Sequence, residues 1–137
     1  MTKQIEHAIL NASGRALATN GPAGLNVIPV SAAQVIDGAI HLFDFFMSKT
    51  VTNIQSDNHV ALVCWEGLSG VQVKATAEYV TNGVAFEEAD KWAKEAHPDR
   101  KLRGVLVLSP NQCYSVTPSD DSTVQLNITN TPYNKTS

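Results

Sequence analysis

The chain has 137 residues, 43% of them hydrophobic, and ten basic against thirteen acidic side chains give it a formal charge of -3. That length predicts one domain with enough buried surface to fold without disulfide or metal staples. The acidic balance argues against nucleic acid or an anionic membrane as the main partner, because both reward a basic face. No apolar run approaches the roughly 20 residues needed to span a bilayer, and the start, Met1 to His7, is too polar for a signal peptide. Cys64 and Cys113 each sit in an apolar stretch, as buried free thiols in a reducing cytoplasm do.

In chain order, Thr2 caps a short helix with Ile5, Ala8, Ile9 and Ala12 on one face, stopped by Gly14. Arg15 to Asn20 and Leu25 to Val30 read as strands joined at Gly21-Pro22-Ala23-Gly24, a hairpin. Asp37-Gly38 marks a tight turn between Val35-Ile36 and Ala39 to Phe43, a second hairpin. Val51 to Ser56 reads as a short helix. Val60 to Trp65 is a continuous apolar run, the pattern of a strand covered on both faces. Val71, Val73, Ala75, Ala77 and Tyr79 alternate with polar residues, the clearest half-buried strand in the chain.

A helix is expected from about Val84 to Ala96, with Phe86, Ala89, Trp92 and Ala93 on its apolar face. The basic loop Arg100, Lys101, Arg103 follows, most simply as a solvated loop, with an anion or subunit contact as the minority reading. Gly104 to Leu108 and Gln112 to Val116 read as two strands broken at Ser109-Pro110-Asn111. Beyond Pro118 the chain turns polar, so residues 1–118 form the expected domain and 119–137 a tail. Val124, Leu126 and Ile128 alternate there as one last strand, with loose residues after it. Sequential strands that outnumber the helices point to an antiparallel barrel or sandwich with helices outside.

Conventional catalytic equipment is missing from the motifs. The four histidines share no metal-ligand spacing, and there is no Cys-x-x-Cys, phosphate loop, dinucleotide fingerprint or nucleophile elbow. No catalytic residue or metal ligand is assigned. Ser48-Lys49-Thr50 is the one stretch that suits a small anion. It places a cation between two hydroxyls, just past a hydrophobic strand, and Lys49 is the only basic residue between Ala16 and Val73. An ammonium with neighbouring hydroxyl and backbone donors fits a phosphate, although an ordinary solvated lysine reads the same way. If the protein is an enzyme, a bound organic cofactor has to carry the chemistry.

Five segments in register resemble the pyridoxamine 5′-phosphate oxidase-like FMN-binding split barrels, and most of all the small bacterial FMN-binding proteins. They are Leu17 to Gly21, Gly24 to Val30, Asp37 to Ile40, Ser48 to Ile54 with its Ser-Lys-Thr-x-x-Asn-Ile pattern, and Val73 to Glu78. The resemblance implies a mainly β protein, a six-stranded antiparallel split β-barrel of Greek-key type with two or three helices outside. It implies a homodimer with FMN in a groove at the subunit interface. Carried over by position, Lys49 and Thr50 bind the FMN phosphate with Ser48 beside them. Pro29, Val30 and Ser31 line the flavin ring with backbone groups. Phe43, Asp44 and Phe45 run along the ring and ribityl chain, and Asn53 holds the helix after the phosphate turn.

The chain departs from the true pyridoxamine phosphate oxidases. It has Ser48-Lys49 where they carry an Arg-Lys pair, and no counterpart of their C-terminal arginine-rich substrate segment. Arg15 falls about one position out of register with a family phosphate-binding arginine. Phe45 and Phe46 replace small residues, where bulk either stacks on the flavin or fills its place. The resemblance therefore implies a small FMN oxidoreductase or electron carrier that meets an unidentified small-molecule or redox-protein partner. Two alternatives stand beside it: a non-catalytic split barrel that lacks FMN or holds another flavin-like or heme-like ligand, and a plain dimeric scaffold.

Overall fold

A computed structural model describes residues 1–118 and 124–128. The elements run α1 (Lys3–Leu10), β1 (Gly14–Thr19), β2 (Asn26–Pro29), β3 (Ala33–Ile36), β4 (Ala39–Asp44), α2 (Ser48–Ser56), β5 (His59–Glu66), β6 (Ser69–Val80), α3 (Gly83–Ala96), β7 (Gly104–Ser115) and β8 (Gln125–Leu126). All strands join one antiparallel sheet in the order β2-β1-β5-β6-β7-β4-β3, with β8 added to β7. The barrel thus has eight described strands, the last only two residues long, where six were expected.

Local chemistry accounts for the boundaries. The Thr2 hydroxyl accepts the Ile5 N–H at 3.3 Å and caps α1. Asp37 and Gly38 both take positive φ, 51° and 78°, as a two-residue turn between β3 and β4 requires. The predicted break at Ser109-Pro110-Asn111 is instead a bulge inside one long strand. Lys74 pairs with Gln112 and Ala75 with Pro110, so Asn111 is the extra residue. A bulge is one of the few places where a strand interior accepts proline.

Side-chain alternation sorts two apolar layers. Leu17, Ile40, Leu42, Leu62, Val73, Leu106 and Leu108 fill the barrel, joined by Ile5 and Ile9 of α1 and Ile54 of α2. On the outside of β4 and β7, Phe43 and Val105 pack with Ala89 and Ala93 of α3, with Trp92 partly buried against them. This double cover explains why β4 is buried from Ile40 to Asp44.

β5 departs from expectation. Val60, Leu62 and Cys64 are buried, but Ala61 and Val63 are only half-buried and Trp65 is 39% exposed. Its apolar outer face is continuous with β1 and β2: Val27 pairs with Ala18 and Ala18 with Ala61, while Pro29 pairs with Ala16 and Ala16 with Val63. Val27 is 68% and Leu25 87% exposed. Described residues of the chain's own helices do not bury this face, which is why an unbroken apolar run misleads here.

Candidate functional site

The strands at the two ends of the sheet, β2 and β3, follow one another in the chain, and the barrel is open between them. Across the gap β4 ends at Asp44 and the chain turns through Phe45, Phe46 and Met47 into α2. A cleft of about 250 Å3 lies in this opening. Pro29, Val30 and Ser31 line one wall, Phe43, Phe45, Phe46 and Met47 the other, and Arg100 reaches in from the loop after α3. Five residues named from the sequence, Pro29, Val30, Ser31, Phe43 and Phe45, thus share one cleft. Asp44, Ser48, Lys49, Thr50 and Asn53 do not line it: Asp44 ends β4, and the other four lie in α2 just past its rim.

That helix begins at Ser48, three residues before its expected start. Ser48, Lys49 and Thr50 therefore form its first turn, whose N–H groups lack partners within the helix. Met47 at the N-cap makes no side-chain capping bond, and the first turn carries no acidic residue. The nearest carboxylate, Asp44, lies before the helix and accepts the N-cap Met47 N–H at 2.7 Å, so the first turn itself holds no negative side chain. Ser48 and Lys49 are exposed.

Thr50 and Asn53 face inward, each 0% exposed. The Thr50 hydroxyl accepts from Asn26 Nδ2 at 3.0 Å, so its side chain braces α2 on β2. Asn53 Oδ1 accepts the Ala23 N–H at 2.9 Å, and its Nδ2 donates to the Gly24 carbonyl at 2.8 Å and the Thr19 hydroxyl at 3.2 Å. Gly21 lies against it so closely that a Cβ there would sit 2.9 Å from Asn53 Oδ1. Asn53 therefore locks the β1–β2 loop to α2.

Backbone groups on the opposite wall are partly committed. Proline has no N–H at position 29, and the Val30 N–H donates to the Arg15 carbonyl at 2.9 Å. The Arg15 side chain is 9% exposed and does not approach the first turn of α2 as a phosphate ligand would. Its Nε donates to the Ile9 carbonyl at 2.7 Å, Nη2 to Leu10 at 2.9 Å and Nη1 to Ser31 at 3.2 Å. A cation on the last carbonyls of α1 is where the helix dipole favours one.

Aromatic rings form the other wall. Phe43 and Trp92 lie 4.6 Å apart between centroids, tilted by 30°. Phe45 is 8% exposed, edge-on to His97 at 5.7 Å, with the Arg100 guanidinium 5.7 Å from its ring. Its bulk is thus taken up by the wall. Phe46 is 78% exposed, with Arg103 5.8 Å from its ring centroid. Arg100 is not among the residues named for the cleft from sequence; its signal is the basic cluster Arg100-Lys101-Arg103, whose minority reading is an anion or subunit contact.

A second cavity, about 320 Å3, lies between α1 and the β5–β6 hairpin. It is the larger and more apolar of the two, but no lysine or arginine lines it and Glu66 does, so it does not suit an anion. Cys64 borders it, but burial pushes the thiol up to about 11, as it does for Cys113. Neither cysteine is an activated nucleophile.

An antiparallel barrel left open between β2 and β3, with its cleft in the gap, is a split barrel. Residues 1–117 match the family model described as pyridoxamine 5′-phosphate oxidase. The chain belongs to that family. An uncharacterized protein of Methanocaldococcus jannaschii is 31% identical over 129 residues, covering 89% of this chain and 82% of the relative. HupZ of Group A Streptococcus shares the fold with a TM-score of 0.78 at 20% identity, over 93% of this chain and 99% of that one. An FMN-binding protein from Syntrophomonas wolfei subsp. wolfei aligns with a TM-score of 0.73 at 16% identity, over 85% and 86% of the two chains. HutZ, the heme storage protein of Vibrio cholerae, aligns at 0.61 and 13% identity, over 75% and 85%. These three solved structures speak to the fold alone.

Proposed function

We propose that this chain is an FMN-binding flavoprotein, a small oxidoreductase or electron carrier, that holds the cofactor across the split of its barrel. One observation carries the reading: the aromatic cleft ends at a helix start that carries Lys49 and has neither a side-chain cap nor an acid in its first turn. The Lys49 ammonium, the Ser48 hydroxyl and the first-turn N–H groups suit a phosphate dianion. The cleft between Pro29–Ser31 and Phe43–Phe45 suits a flat ring. Bound FMN would supply the hydride and electron chemistry; the residues present bind it, orient it and keep water from its ring.

The cleft alone is smaller than the roughly 300–1,000 Å3 of pockets that enclose small ligands. The apolar outer face of β2, β1 and β5 runs up to Pro29 at its rim. A second copy covering that face would supply the missing wall, so we read the working form as a homodimer that meets an unidentified small-molecule or redox-protein partner. Ser48 in place of an arginine argues against oxidation of pyridoxamine phosphate.

Heme is the competing ligand on this fold. Axial heme ligands are mostly histidine, cysteine, tyrosine or methionine, and of these only Met47 lines the cleft. The donor set therefore favours FMN. The test is the small molecule that copurifies, identified by chromatography and by FMN titration of the emptied protein. Flavin absorbance and stoichiometric uptake are expected. Colourless, folded protein that takes up no FMN would refute the proposal.

A further inference from the structure

Asp44 stands between two residues that line the cleft, Phe43 and Phe45, yet its own side chain turns away from it. The carboxylate is 2% exposed and both oxygens are used. Oδ1 accepts the Met47 N–H at 2.7 Å, and Oδ2 accepts the Tyr79 hydroxyl at 2.6 Å. That second distance is in the range of charge-assisted O–H···O bonds. Met47 is the N-cap of α2, and its carbonyl accepts the first helical bond, from Val51 N–H at 2.8 Å. One hydrogen-bonded chain therefore runs from Tyr79 on β6, through Asp44 and Met47, to the turn that carries Ser48, Lys49 and Thr50.

The first two links of this chain are fixed. The Tyr79 ring occupies the space beside Gly104, where even a Cβ would collide with it. The Asp44 backbone pairs with Gly104, and its carbonyl accepts the Arg103 N–H at 2.8 Å. Burial, and then the bond to Asp44, push the phenol above its ordinary range, so Tyr79 remains a donor throughout the physiological range.

We propose that Tyr79 and Asp44 are a positioning pair: they set the N-terminal turn of α2 in its anion-binding geometry without touching the ligand. This rests on the reading of that turn as the FMN phosphate site. It reassigns Asp44 from a residue along the flavin to one that acts through Met47. A loose turn would still leave the ring cleft intact, so the effect falls on the phosphate.

The experiment compares FMN with riboflavin in wild type, Tyr79→Phe, Asp44→Ala and Asp44→Asn, with amide exchange measured in the ligand-free proteins. Tyr79→Phe keeps the ring against Gly104 and removes one hydroxyl. It is expected to weaken FMN about tenfold, as loss of a charge-assisted hydrogen bond would, and riboflavin by less than about twofold. Exchange at Met47 to Thr50 is expected to quicken in Tyr79→Phe. Asp44→Asn, whose amide can still bridge Met47 and Tyr79, should recover most of what Asp44→Ala loses. Equal loss for both ligands, or unchanged exchange in Tyr79→Phe, overturns the inference. Wild-type protein that prefers neither ligand overturns the phosphate reading instead; exchange then decides by itself whether Tyr79 holds the turn.

Discussion

Arg15 Nη1 meets the Ser31 carbonyl at 3.2 Å, so one guanidinium joins the end of α1 to the rim of the cleft. The same group holds the carbonyls of Ile9 and Leu10. Arg15→Ala strands three acceptors around a buried hole, and the expected loss of stability is about 3 kcal/mol. Arg15→Lys should restore only part of it, because an ammonium cannot span a planar three-way site. Urea unfolding measures both. An alanine variant as stable as wild type would show that water replaces the guanidinium at no cost.

Lys49 is exposed, so its removal should leave the fold alone. Lys49→Ala is expected to weaken FMN by about 1.5–3 kcal/mol, the worth of a charged hydrogen bond, and riboflavin much less. Parallel titrations of the two flavins check this. A loss of the same size for both would place Lys49 away from the phosphate.

The outer row of exposed Val27 and half-buried Ala18 and Ala61 makes assembly testable without a ligand. β2 is an edge strand, where a lysine is ordinarily well tolerated. Val27→Lys should therefore yield a folded monomer, and sedimentation of both proteins against concentration measures it. A dimer unaffected by the lysine would put the subunit contact on another face.

His41 gives the fold an acid limb. Its ring is 7% exposed, and burial holds its pKa below the ordinary 6.5. Between the depressed folded value and 6.5 the unfolded chain binds more protons, so stability rises with pH there and falls as pH drops below 6.5. His41→Leu should flatten that limb in urea midpoints taken from about pH 7.5 to 5. Equal acid slopes in both proteins would assign the limb to other groups.

Features set by neighbours in sequence were legible from the residues. Thr2 announces its helix, Asp37-Gly38 its turn, and alternation from Val71 to Tyr79 its strand. Features set by partners distant in sequence were not. Pro110 reads as a breaker, yet a bulge at Asn111 carries β7 through it. The run Val60 to Trp65 reports hydrophobicity on two faces and cannot say whether the second is covered by the same chain. At the site, the resemblance names five residues that share one cleft, while the expected helix start at Val51 lies three residues after the observed one. Asp44 accepts from Met47 three positions on; read as a capping signal, it would have brought Ser48 into the helix. Arg100 reads first as part of a solvated basic loop, because only the return of α3 against β4 brings that loop to the cleft.

The tilted ring pair Phe43–Trp92 has a practical consequence. The chain contains two tryptophans. Trp92 lies 4.6 Å behind a ring that lines the cleft, while Trp65 lies 39% exposed on the open side of the sheet. The protein thus carries two native fluorophores in separate places. Quenching of Trp92 reports what enters the split, and the emission colour of Trp65 reports whether its face is wet or covered. With either tryptophan changed to phenylalanine, occupancy and assembly become separately visible in one cuvette.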